Sequence, residues 1–115
     1  RKRLLLAGAD LFLWPERAHP AFGLAGLEAL LHGTPSLATP RGAIPEVLGG
    51  RGGWLAADAT PKALREALAP LLRDPATLRE ARAGLRVWAL GRFSFDRFIE
   101  SVTRHYRATL GRHEA

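Results

Sequence analysis

The sequence contains no cysteine and no methionine among its 115 residues. The missing cysteine excludes disulfide bonds, cysteine-ligated metals and a thiol nucleophile. No apolar run approaches the roughly 20 residues that a membrane-spanning helix requires, so we expect a soluble chain. Because methionine is absent even from position 1, we expect the sequence to be a fragment of a longer polypeptide. Its hydrophobic content of 47% is nevertheless sufficient for a core.

Acidic residues are the minority among the charged ones, and the net charge is +6. The basic residues lie mostly in the second half and are interleaved with acids, which is typical of solvated helix faces. We therefore predict no nucleic-acid partner, whereas a peripheral contact with an anionic membrane face is an alternative that stays open. The four histidines show no metal-ligand spacing with carboxylates, so we predict no metal site.

Glycine and proline divide the chain into short strands and helices. The predicted elements are a helix tail over 1–8, strands over 10–14, 36–38 and 54–55, and helices over 22–32, 44–48, 61–72, 75–88 and 95–110. Strands that alternate with helices indicate βαβ units, so we predict an α/β fold with a parallel sheet of about three strands and flanking helices. Since a doubly wound domain normally has more strands, we expect a partial Rossmann-like domain whose missing strands precede Arg1.

A single carboxylate stands among the leucines of the helix over 22–32. At 100° per residue, Leu24, Leu27 and Leu31 form an apolar arc, and Glu28 lies within it. A buried carboxylate requires hydrogen-bond donors or a countercharge. We therefore predict that Glu28 faces inward and accepts hydrogen bonds from a ligand such as a cis-diol. The alternative is a boundary residue whose carboxylate reaches the solvent.

The start of the same helix has the features of an anion-binding site. In open α/β sheets, ligands bind beyond the carboxyl ends of the strands, where this helix begins. The opening amides of Phe22, Gly23 and Leu24 lack partners within the helix and lie at the positive end of its dipole. Together with Glu28, these amides predict a pocket for a nucleotide diphosphate.

The ordered motifs resemble those of a known family. The runs ADLFLWP, PAFGLAGLEALLHGTPSLATPRGAIPEVL and GGWL, followed by Asp74-Pro75 and Phe93-Ser94-Phe95, resemble the C-terminal nucleotide-sugar-binding domain of the retaining GT-B glycosyltransferases of family 4. The resemblance implies that residues 1–115 form the second half of that domain. It also implies a retaining, hexosyltransferase-type enzyme that uses a UDP- or GDP-type nucleotide sugar as donor and requires neither a cofactor nor a metal.

The resemblance assigns expected roles to individual residues. Glu28 matches the motif Glu that binds the donor ribose, and Phe22 and Gly23 match residues whose backbone lies against the donor sugar and diphosphate. Leu24 belongs to the same helix start. The remaining matches, at the end of the GGxPE loop of the family, are Gly42, Pro45 and Glu46.

Two positions depart from the family pattern, Pro20 and Arg41, the second of which replaces the first Gly of the GGxPE loop. Pro20 stands where the family carries its first motif Glu, which touches hydroxyls of the donor sugar. Glu16 and His19, in the same loop, are the candidates that could substitute for it. Arg41 in the next loop is a candidate bidentate phosphate ligand, with a solvent-facing side chain as the alternative. Because the basic phosphate-binding residues of the family and its acceptor domain would precede Arg1, we expect the isolated chain to be inactive.

The resemblance also implies partners and a location. The acceptor would be a sugar or a lipid-linked molecule, bound through the missing N-terminal domain, in the assembly of a polysaccharide. The location would be the cytoplasm, including the inner face of the membrane. Two alternatives stay open. Pro20 is compatible with a non-catalytic nucleotide-sugar-binding or scaffold module. The chain could also be another Rossmann-like domain that binds a different phosphate ligand at the same edge, although a G-x-G-x-x-G motif is missing.

Overall fold

A computed structural model describes residues 1–18 and 22–113 of the chain. In these residues three short strands form one parallel sheet in the order β1 (Phe12–Trp14), β2 (Ser36–Ala38) and β3 (Gly53–Leu55). The helices are α1 (Lys2–Gly8), α2 (Leu24–Leu31), α3 (Ile44–Leu48), α4 (Pro61–Arg73), α5 (Pro75–Arg82), α6 (Leu85–Arg92) and α7 (Phe95–His113). The predicted α/β architecture is confirmed.

The order of the elements places the starts of two helices at one edge of the sheet. All three strands run in the same direction, and Leu37 of β2 lies opposite Leu13 of β1 and Trp54 of β3. Parallel neighbours require crossover connections, which α2 and α3 supply. Because each crossover helix runs back against the strands, α2 and α3 begin at the carboxyl edge of the sheet.

Capping residues set several helix boundaries where the sequence predicts them. Thr60 caps α4 by accepting a 3.2 Å hydrogen bond from the Ala63 amide, and Asp74 caps α5 in a similar way. One predicted helix is interrupted. The helix expected over 75–88 is divided into α5 and α6, because Gly84 takes a left-handed conformation with φ of 71° between them.

The core lies between the sheet and the helices α2, α3 and α6. Its side chains are buried and apolar, which provides the main stabilising contribution to the fold. α2 also packs along α6, so the C-terminal half covers the sheet-forming half. The buried cluster consists of Trp14, Leu30, Ala38, Ile44, Val47, Leu48, Leu85 and Ala89.

Trp14 sets how closely α2 approaches the sheet. Its side chain is 4% exposed and lies against Gly23 and Gly26, where an added Cβ would overlap the six-membered ring of the indole. Gly23 also has φ of 82°, a conformation that favours glycine. The two glycines therefore allow the first turn of α2 to rest on Trp14 at the end of β1.

The buried face of α2 differs from the predicted one. Gly26, Ala29 and Leu30 are buried, whereas Leu24 is 67% exposed and the other leucines of the expected arc are only half-buried. The large indole of Trp14 occupies the space next to the helix, and only the side of α2 that carries small residues fits against it. The prediction that the leucine arc faces the core is therefore wrong for Leu24, whereas the half-buried Leu31 packs against the core cluster.

Contacts at its C-terminal end hold α1 in place. The Arg82 guanidinium donates a 2.9 Å hydrogen bond to the Ala7 carbonyl and a second bond to the Ala9 carbonyl. The buried Thr34 hydroxyl donates to the Leu6 carbonyl and, at 3.4 Å, to that of Ala9. These donors satisfy carbonyls that a helix end leaves without intrahelical partners. They attach α1 to the rest of the fold at the end opposite Lys2.

The last helix, α7, extends away from the sheet. The described part of the chain measures 59 × 28 × 25 Å, which reflects this projection. Its side chains Phe95, Phe98 and Tyr106 are exposed.

Substituting Gly26 tests the packing of α2 on Trp14. We expect Gly26→Ala to lower the free energy of unfolding by about 1–3 kcal/mol, because its methyl group would overlap the indole. Gly91→Ala is the matched control, since it places the same methyl group in open space inside α6. We expect the control to be neutral or stabilising by up to about 1 kcal/mol. Urea unfolding measures both, and an equal effect of the two substitutions would contradict the packing role of Gly26.

Candidate functional site

Thr39 ties together the carboxyl ends of β1 and β2. Its hydroxyl donates a 2.7 Å hydrogen bond to the Glu16 carbonyl, and its amide donates to the Trp14 carbonyl at 3.2 Å. The segment after β1 is therefore fixed at the edge where ligands bind in open parallel sheets. Glu16 is half-buried in this segment. The other substitute candidate, His19, and Pro20 lie outside the described residues.

The start of α2 lies at the same edge, two residues later than predicted. Gly23 is the N-cap residue and Leu24 is the first helical residue, and Phe22 is exposed just before them. A glycine has no side chain to cap the first amides, which have no partners within the helix. These amides and the positive end of the helix dipole point past the strand ends. The three predicted residues are therefore together at the helix start.

Glu28 lies on the side of α2 away from the sheet. It is about 200° around the helix from the buried Gly26, at 100° per residue. Its side chain is 40% exposed, and its Oε2 lies 2.8 Å from Nζ of Lys2, in the first turn of α1. The prediction that Glu28 faces inward among leucines is wrong, because the glycine side of α2 faces the core instead. The carboxylate pairs with an ammonium group, and its role in ribose binding stays a prediction.

Arg41 and Gly42 form the turn between β2 and α3. The Ile44 amide donates a 3.0 Å hydrogen bond to the Arg41 carbonyl, and Gly42 has φ of 50°. The Arg41 side chain is half-buried, and its Nε is enclosed without a hydrogen-bond partner among the described residues. A guanidinium nitrogen in this condition is suited to an anionic ligand.

Asp58 follows β3 at the same edge of the sheet. It accepts hydrogen bonds from the Thr60 hydroxyl at 2.5 Å and from the Thr60 amide at 2.7 Å. These two bonds, with smaller contributions from the charges of Arg41 and Lys62, hold the pKa of Asp58 below its ordinary value of 3.8, while desolvation acts in the opposite direction. Asp58 therefore contributes negative charge near Arg41.

A cleft of about 530 Å³ lies beside the start of α2. Phe22 and Leu27 line one side, and the α6–α7 junction lines the other. Arg92 holds this junction, because its guanidinium donates a 2.9 Å hydrogen bond to the Glu46 carbonyl and lies 5.5 Å from the centre of the Phe93 ring. The sequence does not single out Arg92, since its hydrogen-bond acceptor, the Glu46 carbonyl, is distant along the chain.

Two further features are absent from residues 1–18 and 22–113. This part of the chain contains no group of three or more His, Asp or Glu side chains arranged to hold a metal ion. It also contains no helix that combines the length and the apolar character needed to cross a bilayer.

Comparison with known proteins assigns the family. The model of the family described as glycosyl transferases group 1 matches residues 1–74. The chain belongs to this family. The matched residues run from α1 through α4, so they include the whole sheet, both loops at its carboxyl edge and Glu28. The predicted resemblance is therefore confirmed.

A solved structure supports the same assignment at the level of the fold. Sucrose-phosphate synthase from Thermosynechococcus elongatus, a GT-B glycosyltransferase, matches with a TM-score of 0.76 and 25% sequence identity. The match covers 94% of this chain but 27% of that chain. The chain therefore spans about a quarter of the length of that protein. No curated protein sequence matches the chain.

The lowered pKa of Asp58 makes a pH-dependent prediction. A carboxyl whose folded pKa is depressed stabilises the fold above its unfolded pKa, and this contribution is lost as the pH falls through the folded value. We therefore expect Asp58→Asn to lower the thermal midpoint at pH 7. The difference from the unchanged chain should shrink as the pH falls below 3.8. Thermal unfolding followed by circular dichroism measures this, and a difference independent of pH would contradict it.

Proposed function

We propose that the chain is the second half of the donor-binding domain of a retaining, hexosyltransferase-type glycosyltransferase. The complete enzyme transfers a sugar from a UDP- or GDP-type donor to a sugar or lipid-linked acceptor. Membership of the group 1 glycosyl transferases and the GT-B fold support glycosyl transfer. The observation that carries the donor role is the position of Glu28, one turn beyond the exposed start of α2 at the carboxyl edge of the sheet.

The spacing along α2 suits a nucleoside diphosphate. Glu28 is five residues beyond Gly23, or about 7.5 Å along the helix axis at 1.5 Å per residue. The first amides of α2 would bind the diphosphate, because they combine free N–H groups with the positive end of the helix dipole. The Glu28 carboxylate would accept hydrogen bonds from the ribose hydroxyls. Arg41, with its enclosed Nε, would donate to a phosphate from the neighbouring loop.

Other parts of the reaction depend on groups outside this site. Among the residues that the structure describes, Glu16 is the candidate for the acid that contacts the donor sugar, and Thr39 holds its backbone at the strand end. The acceptor would bind to a further domain, so the isolated chain would not turn over donor. We place the enzyme in the cytoplasm, with a contact to the inner face of the membrane, where a lipid-linked acceptor would be reached in polysaccharide assembly.

Pro20 favours a second candidate function. It offers neither charge nor a side-chain acceptor where the family carries an acid that touches the donor sugar. A module that binds nucleotide sugars without transferring them would retain Glu28 and the start of α2, and would not require that acid. Donor turnover by the full-length protein separates the two functions.

Replacing Glu28 tests the ribose contact. In the full-length protein, we expect Glu28→Ala to weaken binding of UDP or GDP at least tenfold (about 1.4 kcal/mol), because the ribose hydroxyls lose their acceptor. Isothermal titration calorimetry measures this affinity. Glu66→Ala is the matched control, because Glu66 also pairs with a lysine, Lys62, at 3.8 Å on an exposed helix face. An unchanged affinity for Glu28→Ala would reject the ribose contact.

The stereochemistry of transfer tests the retaining mechanism. With an α-linked nucleotide sugar as donor, we expect the full-length protein to form an α-linked product, identified from the anomeric proton coupling in NMR spectra. A β-linked product would contradict retention. If the protein binds the donor but neither transfers nor hydrolyses its sugar, the non-catalytic module is the correct function.

A further inference from the structure

The ion pair between Lys2 and Glu28 joins two helices. Its Nζ–Oε2 distance is 2.8 Å, and Lys2 lies in the first turn of α1 while Glu28 lies in the middle of α2. The far end of α1 is held by Arg82 and Thr34, which bond to its terminal carbonyls. The position of Lys2 beside α2 therefore depends on contacts of α1 that do not involve Glu28.

A glutamate on an exposed helix face has several rotamers, and a ligand that needs one of them must order the side chain. The Glu28 side chain is 40% exposed, so packing restricts it only in part. The ammonium of Lys2 selects an orientation in which Oε2 is engaged. A carboxylate has two oxygens and about four acceptor sites, so Oε1 and part of Oε2 stay available for hydroxyl donors.

We propose that Lys2 is a positioning residue for the nucleotide site, holding the Glu28 carboxylate in the orientation that accepts the ribose hydroxyls. The inference rests on the proposed role of Glu28 in donor binding. Lys2 acts through Glu28 and contacts neither the sugar nor the phosphates. Its removal weakens binding because ribose binding must then restrict the rotamers of the Glu28 side chain, and the lost conformational entropy reduces the affinity.

A stability effect does not explain the pair. Lys2 is 72% exposed, and ion pairs between exposed groups contribute little to the stability of a fold. The second lysine of the chain provides a comparison, because Lys62 pairs with Glu66 within α4 at 3.8 Å and is similarly exposed. That pair connects adjacent turns of one helix and includes none of the residues proposed to bind the nucleotide. Lys62→Met is therefore the matched control for Lys2→Met.

The test compares two nucleotides in the full-length protein. Calorimetry measures the affinities of UDP and of 2′,3′-dideoxy-UDP, or of the guanine pair if GDP binds more tightly. We expect Lys2→Met to weaken the ribonucleotide about three- to fivefold and to leave the dideoxy affinity unchanged. Lys2→Arg should restore most of the loss, and Lys62→Met should change neither affinity. The thermal midpoint of Lys2→Met should stay close to that of the unchanged protein.

Three results would overturn the proposal, each in a different way. An equal loss for both nucleotides would show that Lys2 acts on the diphosphate or on the fold. No loss in Lys2→Met, with a clear loss in Glu28→Gln, would remove Lys2 from the site while leaving the proposed function intact. No loss in Glu28→Gln would reject the ribose role itself, and the role of Lys2 with it.

Discussion

The contact between Trp14 and the glycines of α2 determines the arrangement of the site. A large buried indole at the end of β1 leaves room only for a helix face without side chains, which Gly23 and Gly26 provide. This fit brings the first turn of α2 to the carboxyl edge of the sheet. It also fixes the rotation of α2 about its axis, because the glycine side must face the indole. The direction of Glu28 follows from that rotation.

The rotation of α2 gives its two outer surfaces different neighbours. Glu28 is directed toward α1, where Lys2 meets it at 2.8 Å, and Leu27 is directed toward the cleft beside α7. A carboxylate with an ammonium partner on an accessible face is better suited to a polar ligand than a carboxylate enclosed by leucines, because less desolvation opposes binding. Glu28 therefore stays the residue proposed to contact the ribose, but the reason is its accessible position beside Lys2 and not burial among leucines.

Local signals in the sequence were sufficient for much of the fold. The bounds of β2 and α3, the starts of α4 and α5, and the parallel order follow from apolar runs separated by glycine and proline. The face of α2 does not follow from them, because helical periodicity shows which residues share a side and not which side the neighbouring element can accept. Lys2 was missed for a related reason, since its partner is 26 residues away on another helix.

The central claim is that a nucleoside diphosphate binds at the start of α2 with its ribose on Glu28. NMR titration of the full-length protein with UDP or GDP, observing the backbone amides of Leu24 and Gly26 and the Glu28 side-chain carboxyl carbon, tests it most directly. We expect all three signals to shift together and to saturate at one common affinity. Saturable binding that leaves these signals unchanged would contradict the account.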